Sequence, residues 1–285
     1  MKHIPIRYMS SAQKEPNLSG SFTIRNLKEL LDGKDMIQEL HRHDFFFILA
    51  LDKGAGEHEI DFDDYNICDR SVFVMRPGQV HQIKLHAGST GYLIQFNTGF
   101  YYPESQTSRQ LIRRASSTNL YQFEAANFRK LQAVMDGMFE EYSEKREKYQ
   151  DVIKAKLKIF FIELIRQNDD TTLNHTSIYK QERLADFMEL MENHVSEQKQ
   201  VSFYTAKLNL SAYQLNAIAK EIRGKTSSEL ISEYILLEAK RYLLATTNQI
   251  KEIAFHLGYD DVSYFIRFFK KHTGFSPEAF RDRFT

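Results

Sequence analysis

The chain has 285 residues, carries 38 Lys+Arg against 38 Asp+Glu, and is 42% hydrophobic. That length suits two ordinary domains with real cores, and a zero formal charge excludes a general polycation, so any nucleic-acid surface has to be local. The single cysteine, Cys68, excludes an internal disulfide and a thiolate-rich zinc site, and no run approaches the ~18 apolar residues of a membrane span. With no signal-like stretch in MKHIPIRYMS either, the expectation is a cytoplasmic protein with no membrane partner.

Residues 22–100 alternate short β-rich runs with Gly, Asp and Asn. DFFFILALD (44–52), SVFVMR (71–76), HQIKLH (81–86) and GYLIQFN (91–97) read as strands, with tight turns expected at Gly54-Ala55-Gly56 and Asp63-Asp64. Short strands at this spacing predict an all-β barrel or sandwich. From residue 123 the period changes. Phe128, Leu131, Met135, Met138, Phe139 and Tyr142 recur at three and four, as do Tyr149, Val152, Ile153, Leu157, Phe160, Phe161 and Leu164. Two amphipathic helices follow from these stripes, covering their own barrel or meeting a partner subunit in a homodimer. Polar RQNDDTTLNHTS (166–177) interrupts the pattern, giving a domain over 1–165, a linker over 166–180 and a helical domain over 181–285.

The helical part contains a repeat. SAYQLNAIAKEIRGKTSSEL from Ser211 aligns with DVSYFIRFFKKHTGFSPEAF from Asp261, so that Leu215 meets Phe265, Lys220 meets Lys270 and Gly224 meets Gly274, an offset of 50. Each copy has the parts of a helix-turn-helix, over 203–222 and 250–273. Asn209 and Gly258 suit a left-handed helix end, Ser211 with Gln214 forms a capping box, Asp261 is an N-cap, and Gly224 and Gly274 close the second helices. Thr226 with Glu229 opens a further helix over 227–245, and Ser276-Pro277 opens the last. At 1.5 Å per residue the helix over 227–245 is roughly 28 Å long, which holds two recognition helices about one duplex turn apart. Charge is modest: residues 201–285 hold 12 Lys+Arg and 9 Asp+Glu, with Arg267, Lys270, Lys271, Arg281 and Arg283 clustered late. Weak nonspecific affinity is expected, with dimerisation needed for tight binding.

IKEIAFHLGYDDVSYFIRFFKKHTGFSPEAFR (250–281) closely resembles the second-motif signature of the AraC/XylS family of bacterial regulators. ILLEAKRYLL (235–244) is similar to that family's connecting helix, and LSAYQLNAIAKEIRGKTSSELI (210–231) to its first recognition helix. The resemblance implies a transcription regulator that binds double-stranded promoter DNA and contacts RNA polymerase, with a sensing or dimerising N-terminal domain. It places DNA-facing positions at Tyr213, Asn216 and Ala217 and at Val262, Ser263 and Arg267; Lys270, for phosphate, and Arg281 are added to the DNA-binding set. Ala217 stands where a long basic residue is frequent, and Tyr234 where an Arg is common, which weakens the first unit.

HRHDFFFILALDKGAGEH (41–58) with MRPGQVHQI (75–83) resembles the two halves of a cupin-like barrel. His41, His43 and His81 would then share one face, with Phe47 where metal-binding cupins carry a Glu. The expectation is therefore a small-molecule effector beside His41, His43, Phe47 and His81, no metal and no cofactor. The alternatives are a metal-dependent cupin enzyme with a helical tail, or a helical interaction protein that never touches DNA. No GxSxG, P-loop or GxGxxG in a suitable setting supports an enzyme.

Overall fold

Strand residues 46–51 are buried on both faces, and this double burial organises the N-terminal part. A computed structural model describes residues 5–7, 9, 22–101, 106–168 and 175–284, and the chain divides into units Pro5–Thr172 and Leu173–Thr285. The first unit runs β1 (Ile6–Arg7), β2 (Phe22–Asn26), α1 (Leu27–Leu31), β3 (Met36–His43), β4 (Phe46–Lys53), β5 (Gly56–Ile60), β6 (Asp63–Ile67), β7 (Ser71–Met75), β8 (Val80–Leu85), β9 (Thr90–Phe96), α2 (Gln106–Ala115), β10 (Leu120–Gln122), α3 (Ala125–Glu144) and α4 (Tyr149–Asn168). Two five-stranded sheets form, in the orders β1-β3-β8-β5-β6 and β10-β7-β4-β9-β2. Phe47, Leu49 and Leu51 of β4 join Phe73, Met75, Ile60, Ile83 and Leu85 in the core between the sheets. Phe46, Ile48 and Ala50, one residue out of phase, join Val72, Val74, Ile94 and Phe96 in a second core beneath the helices. This is the cupin-like architecture expected.

The helical stripes are consumed in that second core. Phe128, Leu131, Met135 and Met138 of α3 and Ile153, Leu157, Phe160, Phe161 and Leu164 of α4 pack on the sheet within the chain. Of the two uses foreseen, they cover their own barrel, and a partner subunit would have to meet other residues. Two boundaries differ from expectation. Asp63-Asp64 open β6, and the turn before them is Asp61-Phe62, both left-handed at φ 51 and 75; such a pair matches the twist of a two-residue hairpin. Arg166, Gln167 and Asn168 belong to α4, and His175, Thr176 and Ser177 open the next helix. The central part of the expected linker, 169–174, lies outside the described residues.

The second unit is helical: α5 (His175–His194), α6 (Val201–Leu208), α7 (Ala212–Arg223), α8 (Ser227–Ala245), α9 (Ile250–His256), α10 (Val262–Thr273) and α11 (Pro277–Phe284). Phe187 of α5 meets Tyr204 of α6 edge-on at 5.4 Å, and Leu215 and Ile218 of α7 are buried as well. In the second repeat Phe265 contacts Tyr259 at 5.4 Å and Phe269, which contacts Phe280 at 5.4 Å. Among the described residues no helix is long and apolar enough to cross a membrane.

Leu157 is fully buried between α3, α4 and the sheet. Leu157→Ala is expected to cost about 2–5 kcal/mol through lost burial and the cavity left behind. Urea unfolding followed by near-ultraviolet circular dichroism reads this as a lower midpoint at unchanged slope.

Candidate functional site

Both helix-turn-helix units are built by local chemistry. Asn209 closes α6 at φ 53, and the Ser211 hydroxyl accepts from Gln214 N at 3.2 Å while Gln214 Oε1 accepts from Ser211 N at 2.8 Å. Asp261 Oδ1 accepts from Ser263 N at 2.7 Å to open α10. Gly258 holds φ 71 in the second turn, where a Cβ would meet the Ser196 carbonyl oxygen at 1.6 Å. Only glycine fits there. Lys199 of the α5–α6 loop donates to the Gly258 carbonyl at 2.7 Å and lies 4.8 Å over the Tyr259 ring. The first unit's flank is thus tied directly to the second unit's turn.

One face of each second helix is spent on the core, Leu215, Ile218 and Ala219 on α7 and Phe265 and Phe269 on α10. The opposite faces are open. Tyr213 is 83% exposed, and Ala217 and Lys220 share its stripe; Ser263, Arg267 and Lys270 are exposed at the equivalent positions of α10, with Val262 half-buried. The Arg267 side chain, 68% exposed, sits 4.0 Å from Asp261 and over the Tyr264 ring at 6.0 Å. An exposed pair at that separation holds it weakly. Lys220 and Tyr264 were not singled out from the sequence; the repeat offset that pairs Lys220 with Lys270 was the available signal for the first.

Two expected DNA contacts are occupied elsewhere. Asn216 is half-buried, and its Oδ1 accepts from Ser227 N at 2.9 Å and from Ser227 Oγ at 2.8 Å. The side chain caps α8 and does not project from the open face of α7. Arg281 donates through Nε to the Leu243 carbonyl at 2.9 Å and through Nη2 to the Asn248 carbonyl at 2.8 Å. It pins the far end of α8, where unpaired carbonyls and the helix dipole attract a cation. In this structure both side chains act as clamps at the ends of α8.

In the first unit, three neighbouring strands turn imidazoles inward. His41 of β3 stands directly opposite His81 of β8, His43 follows on the same face, and His58 comes from β5 on the other side of β8. The Gly78 amide donates to the His43 carbonyl at 2.8 Å, so the Pro77-Gly78 turn is tied to β3 beside the cluster. All four histidines are buried. Nε2 of His43 lies 3.1 Å from Nε2 of His41 and 2.8 Å from Nε2 of His81, and Nε2 of His58 lies 2.9 Å from Nδ1 of His81. Phe47 stacks on His43 at 5.3 Å and 7°. The expected group of His41, His43, Phe47 and His81 is therefore assembled, and His58 completes it. Desolvation disfavours the charged forms: burial holds His41 down to about 4 despite its bond to the Glu39 carbonyl, and His43 and His58 down to about 3, while His81 is lowered too. Burial thus favours the neutral rings in all four. A groove of about 540 Å³ borders β3, β5, β6 and β8, lined by residues including Glu39, Glu57, Tyr65 and Lys84.

A sandwich with buried histidines joined to two capped helix-turn-helix units on one connecting helix defines a transcription regulator, a DNA-binding protein governed by a ligand-binding domain. Residues 33–152 match the AraC-like ligand binding domain, and residues 204–283 match an AraC-type helix-turn-helix domain. The chain belongs to the AraC/XylS family. It is 23% identical over 254 residues to the HTH-type transcriptional activator RhaS of Pectobacterium carotovorum subsp. carotovorum (strain PC1), covering 85% of this chain and 86% of that protein. The bifunctional transcriptional activator/DNA repair enzyme AdaA of Bacillus subtilis (strain 168) is 39% identical over 71 residues, 25% of this chain and 34% of that one. Among solved structures, unsaturated fatty acid-bound ToxT of Vibrio cholerae strain SCE256 matches at 16% identity and TM-score 0.42, over 94% of this chain and 97% of that one. The C-terminal domain of the response regulator yesN of Fusobacterium nucleatum matches at 30% identity and TM-score 0.32, over 33% of this chain and 93% of that one.

Asn216→Ala and Arg281→Ala are expected to lower the stability of the helical unit by about 1–3 kcal/mol each, because each leaves backbone groups at an end of α8 without a partner. Thermal melts followed by circular dichroism check this. Unchanged melting with altered base preference would return both residues to the DNA surface.

Proposed function

We propose that α7 and α10 read two successive major grooves of promoter DNA, through Tyr213, Ala217 and Lys220 on the first helix and Val262, Ser263, Arg267 and Lys270 on the second. The observation that carries this is the repetition of one open stripe at an offset of 50 residues, on helices whose other face is buried. Division of labour follows from side-chain chemistry. Arg267 has the planar fork that pairs bidentately with a guanine edge, while Lys220 and Lys270 supply point charges suited to phosphate. Ala217, where the second helix has Arg267, leaves the first unit the weaker reader.

We further infer that the domains divide near the expected 166–180 linker, that two chains bind together, and that the complex acts in the cytoplasm with RNA polymerase. The excess of only three positive charges over residues 201–285 supports pairing of chains. The activator names of the relatives support activation over repression. The effector would meet the His41, His43, Phe47, His58 and His81 end of the barrel, where buried polar ring atoms favour a polar ligand.

Arg267→Ala is expected to cost about 1–3 kcal/mol and to relax preference at one base pair. Lys270→Ala should weaken all sequences alike and reduce the salt slope by about 1. Fluorescence anisotropy on the selected site and its single-base variants, at several salt concentrations, separates the two effects. Unchanged affinity and preference for Arg267→Ala would mean that α10 does not read DNA.

A further inference from the structure

The proton count within the histidine cluster is unbalanced. The Glu39 carbonyl can only accept, so His41 Nδ1, 2.7 Å away, carries a proton and donates it. With Nδ1 as the donor, a neutral His41 ring presents Nε2 as a lone pair toward His43 Nε2. His43 Nε2 in turn faces His81 Nε2. A proton on His43 Nε2 must be divided between two acceptors and leaves His43 Nδ1 as a buried acceptor without a donor; a proton on His43 Nδ1 instead sets two bare nitrogens against each other. Neither His43 Nδ1 nor His58 Nδ1 has a hydrogen-bond partner among the described residues. Since buried polar atoms are ordinarily paired, the metal-free network is frustrated in either tautomer.

A cation among the three Nε2 atoms removes the conflict between them and leaves the Nδ1 atoms of His43 and His58 as protonated donors. One bonding atom from each of His41, His43 and His81 lies within 4.8 Å of the others. In metal sites the outer ring nitrogen of a ligating histidine characteristically donates to a carbonyl or another acceptor, which fixes the inward lone pair. Two of the three rings have such a partner: Glu39 O for His41 and His58 Nε2 for His81. Nitrogens bound at about 2.0–2.1 Å to one tetrahedral ion stand about 3.3 Å apart; two edges here, at 3.1 and 2.8 Å, are close to that, and the set has to draw in from its 4.8 Å span on binding.

We propose that Nε2 of His41, His43 and His81 bind one divalent first-row transition-metal ion, with His58 as the positioning residue behind His81. The inference deepens the sensing role given to the barrel, and it departs from the expectation of no metal that Phe47 prompted. Loss of that carboxylate removes one ligand, and three neutral imidazoles still make a site of the kind that takes zinc, cobalt or iron(II) in preference to magnesium or calcium. Three protein ligands leave a coordination position open, at which an effector's oxygen or nitrogen can bind.

The full chain, stripped with chelator and desalted, is incubated with Zn(II) or Co(II) and desalted again. The expected results are one ion per chain by elemental analysis, a raised melting temperature, and the intense visible bands of low-coordinate cobalt in the wild-type protein. His43→Asn should abolish retention, and His58→Asn should weaken it 10–100-fold. No retained ion, retention unaltered in His43→Asn, or the faint spectrum of six-coordinate cobalt would each overturn the proposal. The cobalt spectrum decides the matter even where His43→Asn fails to fold. Anisotropy on the same preparations keeps the readings apart: intact DNA binding without metal uptake sinks this inference alone, and absent DNA binding sinks the regulator's mode of reading.

Discussion

The helix that joins the two helix-turn-helix units, α8, is fixed at both ends. At its start the Thr226 and Glu229 side chains close a capping box, and Asn216 reaches from α7 to take the Ser227 amide and hydroxyl. At its finish Arg281 of α11 holds the Leu243 and Asn248 carbonyls. One clamp comes from the first recognition helix and the other from the helix that follows the second. The 19 residues between are therefore a strut whose ends are each bonded to the unit they carry. The Lys199 bridge to Gly258 adds a link between the first unit's flank and the second unit's turn.

The same clamps separate what is legible locally in the sequence from what is not. Caps and turns are local, so Ser211, Asp261, Thr226, Gly224, Gly258 and Gly274 declare themselves by residue type, and the helices begin and end where those types put them. Whether a polar residue on a recognition helix faces DNA or a neighbouring helix is not local. Asn216 and Arg281 have the chemistry to contact a base or a phosphate, and only the packing of α7 on α8, and of α11 on α8, assigns them to backbone groups. Tyr213, Ala217, Ser263 and Arg267, which the resemblance singled out, are exposed together with Lys270 on the side of α7 and α10 away from the core.

In the barrel the balance differs. Central strands announced themselves by apolar runs, whereas β5 and β6, with Glu57, Glu59, Asp63 and Asp64 among their residues, show no such run and were not assigned as strands. His58 was lost with β5: its neighbours in sequence give no motif, and its place beside His81 depends on the β3-β8-β5 strand order. The stripes of α3 and α4 were legible as helices, but their destination followed from β4, whose second buried face demanded cover.

The most direct test of two readers on one strut is a hydroxyl-radical and methylation-protection footprint of the full chain on its selected site. The account predicts that each subunit protects two major-groove segments about 10 base pairs apart on one face of the duplex. Protection of a single groove per subunit, or of segments on opposite faces, would contradict it.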